Sequence, residues 1–310
     1  MTVFTCHGCD AVLTVPLSRV ALPIQSRRRY ANPFDDTLMA HGTYAADPDR
    51  GVAVAPGDVH GTIIVPVADG YGCCGVAGAG TPNLLCEACR TPVATRVDDC
   101  GEWQVVWLHA EATRPVGDDV APVLTWDELV ATRPGLPPVD EPGWWNPIWQ
   151  AAAGHALAYL LAHSGGRPIE LPGGVLSEVF RPALDVLHPQ PSSPSTPCTV
   201  ALAGPGRSAP EADIVLVPWH PQTGEVWDAG PGPRVAPLPW EIWAYPAYHP
   251  SRRSLQAQRT GPGPLTASRL FTPDGDLFGY ALSTLQTQAP QPWLRPILER
   301  ALASPWSRPF

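Results

Sequence analysis

Two Cys-x-x-Cys pairs constrain the fold of this chain more than any other feature of its sequence. One pair lies at residues 6–9 (CHGC) and the other at residues 86–89 (CEAC). A Cys-x-x-Cys turn presents two thiolates at a separation that suits one tetrahedral zinc ion, and two such turns complete a four-sulfur site. The sequence therefore predicts one zinc ion (Zn²⁺) held by four ligands: Cys6, Cys9, Cys86 and Cys89.

Each pair is followed by residues that favour a strand, DAVLTVPL after the first and RTPVATRV after the second. In these features the N-terminal region resembles a zinc ribbon, a small β module in which two such turns share one zinc. The resemblance covers about 40 of the 310 residues. It departs from the family because 76 residues separate Cys9 from Cys86, where a gap of about 15 to 20 is usual. The resemblance therefore implies a zinc-ribbon-like domain with a large insertion, which costs little loop-closure entropy.

Four thiolates leave no open coordination position for water, so we expect a structural rather than a catalytic zinc. Cys73, Cys74 and Cys100 leave the ligand set open. Neighbouring residues of a strand point to opposite faces, so Cys73 and Cys74 do not suit one metal together, although either could replace a ligand. A second site that joins Cys73 or Cys74 to Cys100, His60 or His109 has no recognisable spacing.

Composition narrows the classes of function. Forty prolines and 28 glycines favour short strands and turns, and 44% hydrophobic residues are enough for a buried core. All twenty basic residues are arginines, which is typical of a GC-rich bacterial genome. The lack of lysine excludes a P-loop lysine and a Schiff base to pyridoxal phosphate. The net charge of −9 falls entirely in residues 1–150, which disfavours binding to nucleic acid or to an anionic membrane.

The expected fold class is α+β, in two domains. Residues 1–112 are predicted to form the β-rich zinc-binding domain and residues 113–143 a proline-rich connector. Residues 144–310 are predicted to form helices packed on a small, mostly antiparallel sheet, with a Pro/Ser loop at 188–197.

Local signals place several elements in the second domain. Its clearest helix follows Asn146, a suitable N-cap, with Pro147 at the first position and Gly165 at the end. A second helix is expected to kink or divide near Pro182, and FTPDGDLFGYAL at 271–282 is expected to form a β-hairpin.

Other motifs that could carry chemistry are weaker than the cysteine pattern. Residues 109–111 match the H-x-E of zinc deaminases, but in that family the cysteines follow the histidine, and here they precede it. GPGRSA at 204–209 matches part of a dinucleotide-binding loop, but a strand follows it, so a turn between two strands is expected. His155 and His163 are expected at the core or its boundary, and Cys198 has no recognisable partner histidine.

These observations predict a zinc-containing cytoplasmic protein that binds or scaffolds other proteins. We expect no signal peptide and no membrane span, and a reducing compartment favours metal-bound or free thiols. The aromatic stretch at 237–250 could contact a partner, although packing in the core is the interpretation we favour for its aromatic residues. They are Trp240, Trp243, Tyr245 and Tyr248.

Two alternative functions stay open. One is a hydrolase or transferase with a cleft between the two domains, which His155, His163 or Cys198 would have to line. The other is a nucleic-acid-binding or regulatory zinc ribbon, which would need Arg19 and residues 27–29 on one positive face. The sequence does not indicate an oligomeric state.

Overall fold

The computed structural model describes the chain in segments and shows a mixture of helices and sheets, which confirms the broad α+β prediction. It describes residues 1–27, 37–65, 72, 75–76, 78, 82–99, 102–117, 122–132, 135–139, 145–187, 196–207, 211–249 and 271–302. Cys73, Cys74, Cys100, residues 28–29 and most of the 188–197 loop lie outside these segments. No helix in the described segments is long and apolar enough to cross a membrane.

Two compact units make up the chain. Unit 1 comprises Met1–Val123 with Pro221–Gly224, and unit 2 comprises Leu124–His220 with Glu225–Phe310. The domain boundaries inferred from the sequence stay a prediction.

Unit 1 is built from nine short strands. In chain order they are β1 (Val3–Cys6), β2 (Ser18–Arg19), β3 (Thr43–Asp47), β4 (Gly51–Val54), β5 (Thr62–Ile64), β6 (Leu84–Cys86), β7 (Pro92–Val97), β8 (Val105–Leu108) and β9 (Thr113–Val116). Seven of them form one sheet in the order β2-β3-β4-β8-β7-β6-β5, in which only β2 and β3 pair in parallel. β1 and β9 form a separate antiparallel pair, and 3-10 turns occupy Ile24–Arg27 and Pro56–Asp58.

The seven-stranded sheet is covered on both faces, as its central strand shows. All four residues of β8 are buried. Because side chains alternate along a strand, Val106 and Leu108 enter one core while Val105 and Trp107 enter another. The first of these cores includes both first cysteines of the Cys-x-x-Cys pairs. Its members are Phe4, Cys6, Leu13, Leu17, Tyr44, Val54, Leu84, Cys86, Val93, Ala94, Val106 and Leu108.

The beginning of the predicted connector is a strand. β9 pairs with β1 in a register that sets Thr113 opposite Cys6, so this segment supports the first cysteine turn. Pro115 fits because β9 has β1 as its strand partner on one side, and a proline at a sheet edge need not donate to a ladder. The 113–143 range also contains helix α1 (Trp126–Thr132). A capping box that our sequence reasoning missed starts this helix: the Thr125 hydroxyl accepts from the Glu128 N–H, and the Glu128 carboxylate accepts from the Thr125 N–H.

Unit 2 combines helices with a parallel sheet. The other helices are α2 (Pro147–Ser164), α3 (Val175–Leu187), α4 (Trp240–Tyr248), α5 (Gly275–Gln288) and α6 (Arg295–Leu302). The strands β10 (Ile169–Glu170), β11 (Cys198–Leu202), β12 (Ile214–Trp219) and β13 (Arg234–Pro239) pair in that order, all in parallel.

The prediction of a mostly antiparallel sheet is therefore wrong. α3 provides the crossover between β10 and β11. The continuous apolar run of β12, five of whose six residues are buried, is typical of a parallel strand covered on both faces. Residues 204–207 form a turn between β11 and β12, as predicted for the glycine-rich GPGRSA segment.

Helix α2 confirms its sequence signals. The Asn146 carboxamide oxygen accepts from the N–H of Ile148 at 2.9 Å, Pro147 is the first helical residue, and Gly165 ends the helix at a φ of +64°. α3 is one helix with Pro182 inside it, so the predicted element is not divided in two.

The predicted hairpin at 271–282 is wrong. Asp274 caps α5 instead, since its carboxylate accepts from the Leu277 N–H at 2.9 Å. The same Pro-Asp-Gly triplet can start a helix or turn a hairpin, and here the side-chain cap favours the helix.

Three of the four aromatic residues in the stretch at 237–249 are buried inside unit 2. Trp240, Trp243 and Tyr245 are each 2% exposed or less, and the two indole rings stack with centroids 5.5 Å apart. The Trp243 indole donates to the Leu216 carbonyl at 3.1 Å. These three side chains belong to the core and present no exposed platform to a partner. Tyr248 is partly exposed, and its hydroxyl donates to the Pro205 carbonyl.

Candidate metal centre

The two Cys-x-x-Cys turns have the same backbone geometry. In the first turn, the Asp10 N–H donates to the Cys6 carbonyl at 2.9 Å, and the Cys6 N–H donates to the Ala11 carbonyl at 2.8 Å. The second turn repeats both bonds, from Arg90 to Cys86 and from Cys86 to Thr91, at 2.9 and 2.8 Å. Each turn therefore fixes its two cysteines in one arrangement.

The residue after each turn adopts a left-handed conformation without being glycine. Asp10 has a φ of +61° and Arg90 a φ of +64°, and they are the two non-glycine residues with positive φ among the described residues. Such a backbone costs an ordinary residue roughly 1 to 2 kcal/mol. Repetition of this strained conformation in both turns indicates that the same local geometry is required at both.

The four predicted ligands come together in space. Their sulfur atoms all lie within 4.8 Å of one another. The distance is 3.6 Å from Cys6 Sγ to Cys89 Sγ and also from Cys9 Sγ to Cys86 Sγ. A tetrahedral zinc with bonds of about 2.3 Å sets its sulfur ligands about 3.8 Å apart, so the geometry fits one such ion. The four cysteines are therefore close enough to bind a metal, which is consistent with a zinc-binding module.

The site lies at the edge of the first core of unit 1. Cys6 ends β1 and Cys86 ends β6, and both are buried, whereas Cys9 and Cys89 are exposed. Gly8 lets the two turns approach closely, because a Cβ at this position would lie 3.3 Å from Thr91 Oγ1. The metal would thus join apolar packing on one side to solvent on the other.

Backbone hydrogen bonds hold each turn against a different neighbouring segment. The His7 N–H donates to the Ala112 carbonyl, just before β9, at 2.9 Å, and the Glu87 N–H donates to the Gly61 carbonyl, just before β5, at the same distance. Contacts outside the ligand set commonly orient metal ligands in this way.

The surroundings give the thiols different proton affinities. Hydrogen bonds from the Thr91 hydroxyl and N–H lower the pKa of the Cys89 thiol to about 6. The Ala11 N–H lowers the pKa of Cys9, but the neighbouring thiols and desolvation outweigh it and raise that pKa to about 12. Because metal ligands must be thiolates, binding of a metal would release protons from this cluster.

The remaining candidate residues do not join this cluster. Among the described residues, the four cysteines are the one group of three or more metal-ligating side chains close enough to share an ion. His109 instead pairs through Nε2 with the Thr95 hydroxyl at 2.9 Å. Cys73, Cys74 and Cys100 lie outside the described residues, so their part in metal binding stays open.

The candidate residues of unit 2 have structural roles. His163 Nε2 contacts the Val235 carbonyl at 3.1 Å, and His155 bonds to the backbone of Pro237, so both hold α2 against β13. Burial lowers the pKa of His155 to about 4 and raises that of the Cys198 thiol. A buried thiol whose pKa is raised is a poor nucleophile.

Comparison of the chain with protein-family models, with curated proteins and with solved structures gave no match. The proposals below therefore rest on the residues of this chain.

Proposed function

We propose that this protein is a zinc-containing binding or scaffold protein that acts through contacts with other proteins, and that its zinc is structural. The observation that carries this proposal is the cluster of four sulfur atoms within 4.8 Å of one another. Zinc bound by Cys6, Cys9, Cys86 and Cys89 would have all four tetrahedral positions filled by protein, which favours a structural role.

The position of the cluster supports a structural role. Two of the ligands belong to the first core of unit 1, and the turns that carry all four are held by the segments before β9 and β5. The metal would therefore tie β1, β6 and their neighbours together. Reduced thiols at these positions fit a reducing compartment such as the cytoplasm.

Elemental analysis of the purified full chain tests the metal. We expect one zinc per chain in the wild type and less than a tenth of that in Cys86→Ser, because loss of one thiolate opens the site. Iron also accepts four thiolates, so both metals are measured. Cys198→Ser is the matched control and keeps its zinc, since Cys198 is buried in unit 2. A wild-type chain that is folded and free of metal would contradict the proposal.

Affinity purification of the tagged full chain from its native cell tests the protein contacts. We expect one or a few proteins at near-stoichiometric amounts, and direct binding when each is mixed with the chain in purified form. Failure of every recovered protein to bind directly, together with turnover of a small-molecule substrate, would favour the hydrolase or transferase alternative instead.

A further inference from the structure

A cavity of about 1000 Å³ lies within unit 1, on the sheet face opposite the cysteine cluster's core. Thr95, Trp107, Val97 and Val105 line it from β7 and β8, and their register places Thr95 beside Trp107 and Val97 beside Val105. Further lining comes from the turn after β3, from Glu102 and Trp103, and from the turn after β8. A cavity of this size is in the range that holds a ligand or part of a peptide.

Arg50, the one arginine among the described residues that line the cavity, bonds to the protein itself. Arg50 donates through Nε and Nη2 to the Asp47 carboxylate and through Nη1 to the Ser26 carbonyl. Its guanidinium also lies over the Trp107 ring, 4.1 Å from the centroid. Arg27 forms a second ion pair with Asp47 at 2.9 Å. The two arginines together therefore more than offset the charge of Asp47.

Three further carboxylates line the cavity without such compensation. They belong to Asp49, Glu102 and Glu111, and none forms an ion pair within the described residues. Burial, with the nearby charge of Asp99, raises the pKa of Glu102, and burial lowers that of His109. A nearby cation would reverse the shift at Glu102, because it favours the ionised carboxylate. These three carboxylates therefore give the cavity negative charge that no ion pair among the described residues offsets.

Two buried polar atoms at the cavity have no hydrogen-bond partner in the described part of the chain. They are the Ser26 hydroxyl and the Trp103 indole nitrogen Nε1. Ser26 is 6% exposed, and both residues line the cavity. Buried polar groups in native proteins are nearly always paired, so two unpaired groups among the residues that line the cavity are unusual.

We infer that this cavity binds a basic segment of a partner protein, with an arginine or lysine side chain lying between Trp103 and the carboxylates of Glu102 and Glu111. This inference rests on the proposed function, since it names the chemistry of the partner. An aromatic face and carboxylates together suit a cationic side chain.

Fluorescence anisotropy tests the inference with the zinc-loaded full chain. The probe is a labelled peptide of four Arg-Gly repeats, and the reference is the same peptide with glutamine in place of arginine. We expect the arginine peptide to bind and Glu102→Gln/Glu111→Gln to weaken it at least about tenfold at constant ionic strength. The matched control is Glu170→Gln/Asp185→Asn, which removes two exposed carboxylates from unit 2 and should change affinity less than about twofold.

Four results would overturn the inference, and the first three come from the peptide titration. One is equal affinity of the cavity variant and the wild type, with circular dichroism and zinc content unchanged. Another is an equal loss in the control, which would assign binding to overall negative charge. The third is displacement of the peptide by spermidine at its own concentration, which would indicate a site for small organic cations. A partner found by affinity purification that binds the cavity variant normally would refute this inference and leave the proposed function standing.

Discussion

The two units hold their cores together in different ways. The largest fully buried side chains of the described residues are aromatic in unit 2, where they are Trp149, Trp240, Trp243, Tyr245, Phe180 and Phe278. Their counterparts in unit 1 are aliphatic: Leu13, Leu17, Met39 and Leu108. Strands of two to six residues carry the fold of unit 1, whereas unit 2 is organised around the 18-residue α2, which is buried on most sides.

This difference suggests why, among the described residues, the cluster that could hold a metal lies in unit 1. Large aromatic side chains bury much apolar area per residue, and that area is the main source of folding free energy. Short strands with aliphatic residues bury less, and a structural zinc ion adds folding free energy directly. The four-cysteine cluster lies where unit 1 joins β1 and β9 to the rest of its strands.

Removal of the metal should produce the largest difference in stability between the two units. Chelation should abolish the amide protection of β1, β6 and β9, while α2 and β12 keep theirs. Structural zinc contributes about 10 to 16 kcal/mol of apparent binding free energy in zinc-finger peptides, which exceeds the stability of a typical domain. Hydrogen–deuterium exchange with and without chelator measures the effect. Equal loss of protection in both units, or none in unit 1, would contradict the contrast.

Truncation of a side chain in the aromatic core should have the next largest effect. Trp243→Ala should lower the free energy of unfolding of unit 2 by about 3 to 5 kcal/mol, because it leaves a cavity and removes the indole hydrogen bond to the Leu216 carbonyl. Denaturant titration measures it, with zinc content expected to stay constant. Val186→Ala, at a position of α3 that is 52% exposed, is the control and should change stability by less than about 0.5 kcal/mol. A stable Trp243→Ala protein that had lost only partner binding would show that Trp243 contacts a partner rather than stabilises the core.

Loss of a helix cap should have a smaller effect on unit 2. Asn146→Ala removes the side-chain acceptor for the first turn of α2 and should cost about 1 kcal/mol. Asn146→Asp keeps an acceptor at the same position and should retain most of that stability. The same titration compares the three proteins, and an Ala variant as stable as the wild type would show that packing alone fixes the start of α2.

A feature could be predicted from the sequence when the residues that determine it lie close together in the chain. The cysteine cluster was predictable because each turn needs four consecutive residues, and the start of α2 because Asn146 and Pro147 act within one helical turn. The parallel pairing of β10 to β13 depends on residues far apart in the chain, and β9 pairs with a strand more than a hundred residues before it. The cavity of unit 1 was not predicted for the same reason, because separate segments of the chain line it and no sequence motif links them.

Acid should destabilise the two units in different pH ranges, with a small effect on unit 2. The Arg167 guanidinium, with the N–H and hydroxyl of Thr199, holds the pKa of Asp213 in unit 2 at about 2. Because this value lies below the ordinary value of about 3.9, the stabilisation is complete above about pH 4 and is lost as pH falls toward 2. Asp213→Asn should therefore destabilise unit 2 modestly at pH 5 and much less near pH 2, as measured by denaturant titration.

Unit 1 should respond at higher pH, because its thiolates must be deprotonated to hold the metal. Zinc release, followed with a chromophoric chelator as pH is lowered, should precede the range in which Asp213 matters. The Asn variant provides the control, since its zinc release should follow the same pH curve as the wild type. Zinc retained down to pH 2 would contradict the prediction for unit 1, and a variant equally destabilised at pH 2 and pH 5 would contradict the prediction for unit 2. Either result would show that the two units do not differ in their response to acid in the way proposed.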